Sequence, residues 1–275
     1  MRMLFLGTAS AEGYPATFCC CRNCLEARRR GGKNLRSRAS LLVNDDLLID
    51  APPDLARRSV ELGVELCKVK ALLVTHSHED HIYLDELRLR VWPFAAEPPT
   101  RLKVVCNKRV RALLRRRYKG RFRALRLTVR AVEPFESLKV ARYRVTPLLA
   151  SHHVEAGELP LIYLIEDRGT TLLYASDTGP LPPSTLSFLE RVRLDAVITE
   201  ATLGIVSSAV FPYHMGFEDV IKLKEWMESH SIITRRTPFM VTHFSHLTCP
   251  LHEEIEETLG PYGITPAYDG LTLEV

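Results

Sequence analysis

The segment that most limits what this chain can become is THSHEDH, residues 75–81, which overlaps the end of the apolar run VKALLVT at 69–75. His76, His78, Asp80 and His81 fall within six positions of one another. A short continuous apolar run reads as a buried strand, so the motif begins where a strand ends. Residues two apart in extended chain point the same way, and His76 and His78 can therefore share one ion. Where the chain turns into the following helix, Asp80 and His81 can reach a second. Imidazole nitrogen and carboxylate oxygen suit Zn, Mn or Fe. No ordinary core role calls for such a set, so the fold has to close around a metal-bearing strand end.

The rest of the chain is ordinary enough to build such a fold. It has 275 residues, 46% hydrophobic and 25% charged, with no low-complexity tract, the composition of a globular α/β protein. No apolar run approaches the roughly 18–20 residues of a membrane span. The opening MRMLFLGTASAEG reads as a first strand rather than a signal peptide, and a cytoplasmic location with no membrane partner is expected. Charge is uneven: residues 101–130 hold thirteen Lys or Arg and no acid, against a net +4 for the whole chain. That segment is either a solvated face, with Val110, Leu113 and Leu114 as the inner stripe of a helix, or a phosphate-attracting patch.

Short β-rich runs alternate with helical stretches. Strands are expected at 3–7, 39–44 and 46–50, with Asn44-Asp45 as a tight turn. A helix over 52–63 stops at Gly63, and helical patterns follow the 69–75 strand near 81–92 and 107–118. A second β series runs over 126–132, 137–147, 161–166 and 170–176. Then come a strand at 194–199, a helix at 216–230, a strand at 238–242, a helix at 249–259 and a last strand, LTLEV. No linker interrupts this order, which predicts one domain, 1–275, with two β-rich halves and helices outside.

Four of the seven cysteines crowd into FCCCRNC at 18–24. The cluster is too tight for a disulfide framework and reads as metal binding in a reducing compartment. Tetrahedral zinc needs four ligands, and the segment alone does not say which sulfurs bind.

H-x-H-x-D-H after a strand resembles the signature of the metallo-β-lactamase superfamily. The resemblance implies an α/β, four-layer αββα sandwich with further ligands at strand ends. The matching positions are His152 after VTPLLAS, Asp177 closing LLYASD and His243 closing MVTH. His152 is preferred to its neighbour His153 because it directly follows the strand. By analogy one divalent metal, Zn or Mn, takes His76, His78 and His152. The other takes Asp80, His81 and His243, and Asp177 bridges them. Such a pair activates water and clamps a displacement at phosphorus. Asp50 is a candidate carboxylate for orienting a histidine, or simply a strand-end turn residue. Glu200 and Asp269 have similar claims, and the 7–15 loop is either part of the site's wall or only a connection.

Within the superfamily, GTASAEGYPATFCCCRNCLEARR resembles the N-terminus of phosphoribosyl cyclic phosphate phosphodiesterases of the carbon–phosphorus lyase pathway, as does the THFSH pair at 242–246. That resemblance implies a structural zinc on Cys19, Cys21, Cys24 and His246, with a zinc-binding loop at about 15–31 and Cys20 as spectator. It also implies a small cyclic phosphate substrate such as phosphoribosyl 1,2-cyclic phosphate. His214 matches the superfamily histidine that contacts the phosphoryl group or protonates the leaving oxygen. His214 and the metal ligand Asp80 are the candidate catalytic side chains. Two departures stand out: the length of SHHVEAGELP and the basic 101–130 segment. The alternatives are an RNA-processing endonuclease like the transfer-RNA 3′ enzymes, and a non-hydrolytic accessory protein like that of pyrroloquinoline quinone synthesis. A small phosphorylated substrate is the favoured partner and nucleic acid a less favoured one; a homodimer is compatible with either.

Overall fold

In the computed structural model, which describes residues 1–97 and 99–275, the chain forms two seven-stranded sheets. The first half supplies β1 (Arg2–Gly7), α1 (Arg22–Arg30), β2 (Ser40–Val43), β3 (Leu47–Ile49), α2 (Leu55–Glu61), β4 (Ala71–Leu73), β5 (Leu102–Cys106), α3 (Lys108–Arg117) and β6 (Leu127–Ala131). The second half supplies β7 (Leu138–Val140), β8 (Tyr143–Leu149), β9 (Leu161–Asp167), β10 (Thr170–Ala175), α4 (Pro183–Leu189), β11 (Ala196–Glu200), α5 (Phe217–Ser229), β12 (Phe239–Thr242), α6 (His252–Leu259), β13 (Thr265–Pro266) and β14 (Thr272–Glu274). One sheet runs β14-β1-β2-β3-β4-β5-β6 and the other β13-β12-β11-β10-β9-β8-β7. The last strand thus returns to pair with β1.

Three apolar clusters define the layers. Met3, Phe5, Leu41 and Ile49 of the first sheet meet Val145, Tyr163, Tyr174 and Met240 of the second. Leu42, Leu48, Leu72 and Val104 face the other way, towards Leu55, Val110 and Leu114 on the helices outside the first sheet. Leu164, Leu173 and Val197 pack under Val220, Met227, Ile255 and Leu259 of α5 and α6. The result is the αββα sandwich. Strands covered on both faces have no polar alternation to show; β3 (LLI) and β4 (ALL) are buried throughout.

Local chemistry sets the joints. Asn44 and Asp45 both take left-handed φ, 46° and 63°, as the tight β2–β3 hairpin requires. Asn107 caps α3, its side chain accepting from Val110 N at 2.9 Å. Pro147 sits in β8 beyond the short span paired with β7, where its missing N–H costs no ladder bond.

Four expectations need correction. The 137–147 stretch is a hairpin of two strands, broken at Ala141 with φ 52°. The expected helix at 81–92 is a 3₁₀ segment, Leu84–Arg90. Helix α4 and strand β13 had no counterpart among the elements expected from the sequence. Most of the 15–31 cysteine segment is helix α1, capped by Cys21. No helix among the described residues is long and apolar enough to cross a membrane.

Candidate metal centre

The chemistry gathers at one edge of the sandwich. Strands β3 and β4 run parallel, as do β10, β11 and β12. Their C-terminal ends, with that of β8, therefore present Asp50, His76, Asp177, Glu200, His243 and His152 to one place. Three of these leave their strands in left-handed backbone: Asp50 (φ 60°), Asp177 (φ 56°) and His243 (φ 61°). Non-glycine residues pay for that conformation, and such strain collects at functional sites. Here it turns each side chain across the strand end.

Asp177 is the hub. Its Oδ2 lies 3.2 Å from His76 Nε2, 3.0 Å from His81 Nε2, 3.3 Å from His152 Nε2 and 3.8 Å from His243 Nε2. Asp80 Oδ2 is 3.2 Å from His81 Nε2 and 3.8 Å from His243 Nε2. His78 Nδ1 stands 3.3 Å from His152 Nε2. Two groupings emerge that could each hold an ion: His76, His78, His152 and Asp177, and Asp80, His81, Asp177 and His243. They share Asp177, as the superfamily resemblance implied. His152, not His153, enters the cluster; the His153 ring instead packs near Tyr213.

The far side of His76, His81, His152 and His243 is already engaged. His81 Nδ1 donates to Asp50 Oδ2 at 2.7 Å. Asp50 is fully buried and also accepts from Thr75 N at 2.9 Å. Thr75 Oγ1 donates to Asp50 and lies 3.1 Å from His76 Nδ1. His243 Nδ1 is 2.8 Å from Thr202 Oγ1, which donates to the His243 carbonyl. His152 Nδ1 donates to Tyr213 O at 3.3 Å. Each contact fixes a tautomer with Nε2 bare and turned inward, the usual preparation of a metal-ligating histidine. The inward atoms His76 Nε2, His81 Nε2, His243 Nε2 and Asp177 Oδ1 are buried with no hydrogen-bond partner. Orphans of this kind cost free energy unless something satisfies them, and four at one point fit a divalent cation pair.

Electrostatics divide the ligands: burial works to lower His81 and His243, but Asp80 and Asp50 lift the first and Asp177 and Asp80 the second, a negative surplus that suits cations. Burial pushes His76 down to about 3, keeping its nitrogens free of an extra proton. Burial works to raise Asp177, yet His243, His152, His76 and His81 hold it well below the usual carboxylate range.

Beside the cluster, His214 Nδ1 lies 3.2 Å from both Glu200 Oε1 and Asp177 Oδ1. Burial lowers its affinity for a proton, but the two carboxylates more than offset this and lift it to about 9. Glu200, His214 and His243 form a third close grouping. Glu200 is committed elsewhere, however: it accepts from Thr178 N at 2.7 Å and Thr202 N at 3.1 Å. It therefore orients His214. Asp269 has no such part. It accepts from Thr8 Oγ1 and Ser37 N and braces the turn after β1. The 7–15 loop does line the cleft, through Ser10, Ala11 and Glu12.

The second cluster joins Cys19, Cys21, Cys24 and His246. Cys21 Sγ is 3.5 Å from His246 Nδ1. Cys20 points to solvent. Burial raises the Cys21 thiol, but the Cys24 N–H and His246 outweigh it and bring it to about 6, and burial pushes Cys24 up to about 12. The helix and the THFSH segment are tied independently by Asn23 Nδ2, which donates to the His246 carbonyl at 3.0 Å. His243 takes a left-handed φ of 61°, and beyond that turn His246 meets the cysteines rather than Asp177.

Three positions carried no recognisable sequence signal. Glu158, inside the long SHHVEAGELP segment, accepts from Ser77 at 2.6 Å and from Asn107 at 2.7 Å, bracing the histidine loop. Thr202 links Glu200, to which its N–H donates, with His243, whose Nδ1 meets its hydroxyl. Gly179 is forced by contact: a Cβ there would meet Pro212 O at 2.2 Å and Ser151 O at 3.1 Å. Only glycine lets the Asp177, His152 and His214 segments pack together.

Comparison with known proteins places this geometry. The Beta-lactamase superfamily domain matches residues 46–244. A diphosphatase of the PhnP family superposes with TM-score 0.76 at 25% identity, covering 100% of this chain and 97% of its own. Zn(2+)-bound PqqB from Methylobacterium extorquens superposes with TM-score 0.75 at 19% identity, covering 100% of both chains. Human tRNase Z, short form, shares the fold with TM-score 0.67 at 14% identity, over 100% of this chain and 99% of its own. A curated octanoyltransferase from Porphyromonas gingivalis (strain ATCC BAA-308 / W83) is 28% identical over 283 residues, 98% of this chain and 51% of its own length. The chain thus spans about half the length of that relative. With its αββα sandwich and strand-end His/Asp clusters, the chain belongs to the metallo-β-lactamase superfamily, whose fold generally binds divalent metals.

Proposed function

We propose that this chain is a dinuclear-metal hydrolase of phosphate diesters, with a small cyclic phosphate as substrate. His76, His78 and His152 hold one divalent cation, Zn or Mn; Asp80, His81 and His243 hold the other; Asp177 faces both. When bound, such a pair supplies Lewis acidity and an activated water. The protein's own part is to aim the histidines, through Asp50, Thr75 and Thr202, and to place a proton beside the leaving oxygen. His214 suits the second of these. With Glu200 accepting from its Nδ1 at 3.2 Å and favouring its charged form, it would serve as a general acid at the cluster's edge. Cys19, Cys21, Cys24 and His246 hold a structural zinc, a closed set with no open position. It pins the loop carrying Ser10 and Glu12 against the segment that follows His243.

The observation that carries this reading is the convergence of four histidine Nε2 atoms on one Asp177 oxygen. The PhnP-family diphosphatase supports phosphorus chemistry. Phosphoribosyl 1,2-cyclic phosphate, implied by the N-terminal resemblance, belongs in the screen beside cyclic phosphates that carry no second phosphate. Transfer-RNA processing, suggested by the tRNase Z fold, has the basic 101–130 surface in its favour. Against it, no Lys or Arg is among the described residues that line the cleft. The octanoyltransferase's named activity belongs to a protein about twice this length. Metal analysis with a phosphodiester screen tests the proposal. Turnover of a cyclic phosphate that His76→Gln abolishes without unfolding supports it; no turnover of any phosphodiester with the metals loaded overturns it.

A further inference from the structure

The cleft above the His/Asp cluster has a volume of about 430 Å³. Its floor is polar, and its walls set large apolar side chains among Ser10, Glu12, Ser245 and Thr248. Leu203, Phe211, Tyr213 and Leu247 line it, and Glu12 is its one carboxylate outside the centre. Phe211 is 56% exposed, Tyr213 45% and Leu247 73%. Large apolar side chains bared together at the mouth of a reaction centre mark a place where something lands.

The segment that bears them is built into the site. Tyr213 O holds His152 in its tautomer. The Pro212 carbonyl packs on Gly179, and Leu203 N bonds Met215 O at 3.0 Å. The His153 ring lies 5.3 Å from that of Tyr213. Three rings, of Phe211, Tyr213 and His153, thus line the cleft above the His/Asp cluster.

We infer that the non-phosphate half of the substrate ends in an uncharged flat aromatic ring, a nucleobase or aryl group, received by Phe211 and Tyr213. This rests on the proposed phosphodiesterase reading for where the phosphate sits. A second phosphate, as in a phosphoribosyl substrate, would find no Lys or Arg among the described residues of the walls and would face Glu12. An alkyl chain gains by enclosure, which this open mouth does not give. A ring gains from stacking on one face.

Binding tests this apart from catalysis. The metal-loaded protein is titrated calorimetrically with adenosine 2′-monophosphate and with 1-O-methylribose 2-phosphate, which differ in the base. We expect the adenosine compound to bind at least about tenfold more tightly, the scale of base stacking on an aromatic side chain, and the preference to shrink in Phe211→Ala. Equal affinities, or octyl phosphate binding more tightly than the adenosine compound, overturn the inference. Hydrolysis of adenosine 2′,3′-cyclic phosphate against methyl riboside 2′,3′-cyclic phosphate is the second arm. A base preference in binding with neither diester hydrolysed leaves the aromatic subsite standing and removes the phosphodiesterase reading. Hydrolysis of both at equal rates, with equal binding, does the reverse.

Discussion

Asp50→Asn tests how the protein prepares its histidines. Asp50 never reaches the cluster's centre, yet both its oxygens are occupied: Oδ1 accepts from Thr75 N at 2.9 Å, and Oδ2 accepts from His81 Nδ1 at 2.7 Å and Thr75 Oγ1 at 3.0 Å. Asparagine has the same shape but one acceptor oxygen. Either the Thr75 amide loses its partner, or the new NH₂ faces His81 Nδ1. In the second case His81 accepts there and moves its proton to Nε2, the atom that should bind the cation. Losing the outer partner of a ligating histidine typically costs 10–100-fold in metal affinity or activity. At about 1.4 kcal/mol per factor of ten, that is about 1.4–2.8 kcal/mol. Competitive chelator titration of the folded variant, with circular dichroism as a control, reads the loss. Affinity within about threefold of the parent chain would refute the reasoning, as would an equal loss in Thr128→Ala, a surface position far from the centre.

Gly179→Ala should cost about 1–3 kcal/mol by overpacking and cut turnover severely, because the added methyl displaces backbone that positions His152 and His214; parent-like turnover would contradict this. Cys21→Ser should lose one zinc and lower the Tm by about 5–10 °C, on the order of a 2–3 kcal/mol loss; unchanged zinc content and Tm would exclude the cysteine site. Stability should also fall in acid through His252, which is buried and accepts from Arg36 Nη2 at 2.9 Å through Nδ1. Burial and then Arg36 push it down to about 4. The unfolded chain therefore takes up a proton first, so stability present above about pH 6.5 is lost as pH falls towards 4, on the order of 2–3 kcal/mol. Denaturant melts at pH 7 and 4.5 should show a smaller acid loss in His252→Gln than in the parent; equal losses would rule this out.

Much of the centre was legible because its chemistry sits at strand ends. A buried parallel strand is a plain apolar run, and a His or Asp closing one has no reason to be there unless it is used. That logic reached His76, His78, Asp80 and His81 unaided; His152, Asp177 and His243 needed the resemblance to say which strand ends converge. What stayed hidden depends on conformation or distance. Nothing in KVARYR announces the turn at Ala141, since alanine is not a turn residue by chemistry, so two strands read as one. Two prolines at 182 and 183 masked α4, although proline is at home in a first helical turn. Asp50 and Asp269 look alike as strand-end or turn acids, and only the fold decides that one faces His81 and the other Thr8. Glu158 lay in a segment conspicuous for its length alone. Nor could the sequence show that Phe211, Tyr213 and Leu247, far apart in the chain from the histidine motif, stand bare beside it.

Anomalous diffraction on crystals of the purified chain, with elemental analysis of the same sample, tests the central claim most directly. The account predicts two divalent-metal peaks flanking the Asp177 carboxylate and a separate zinc peak among Cys19, Cys21, Cys24 and His246. A single peak at the His/Asp cluster, or peaks that leave Asp177 uncoordinated, would contradict it.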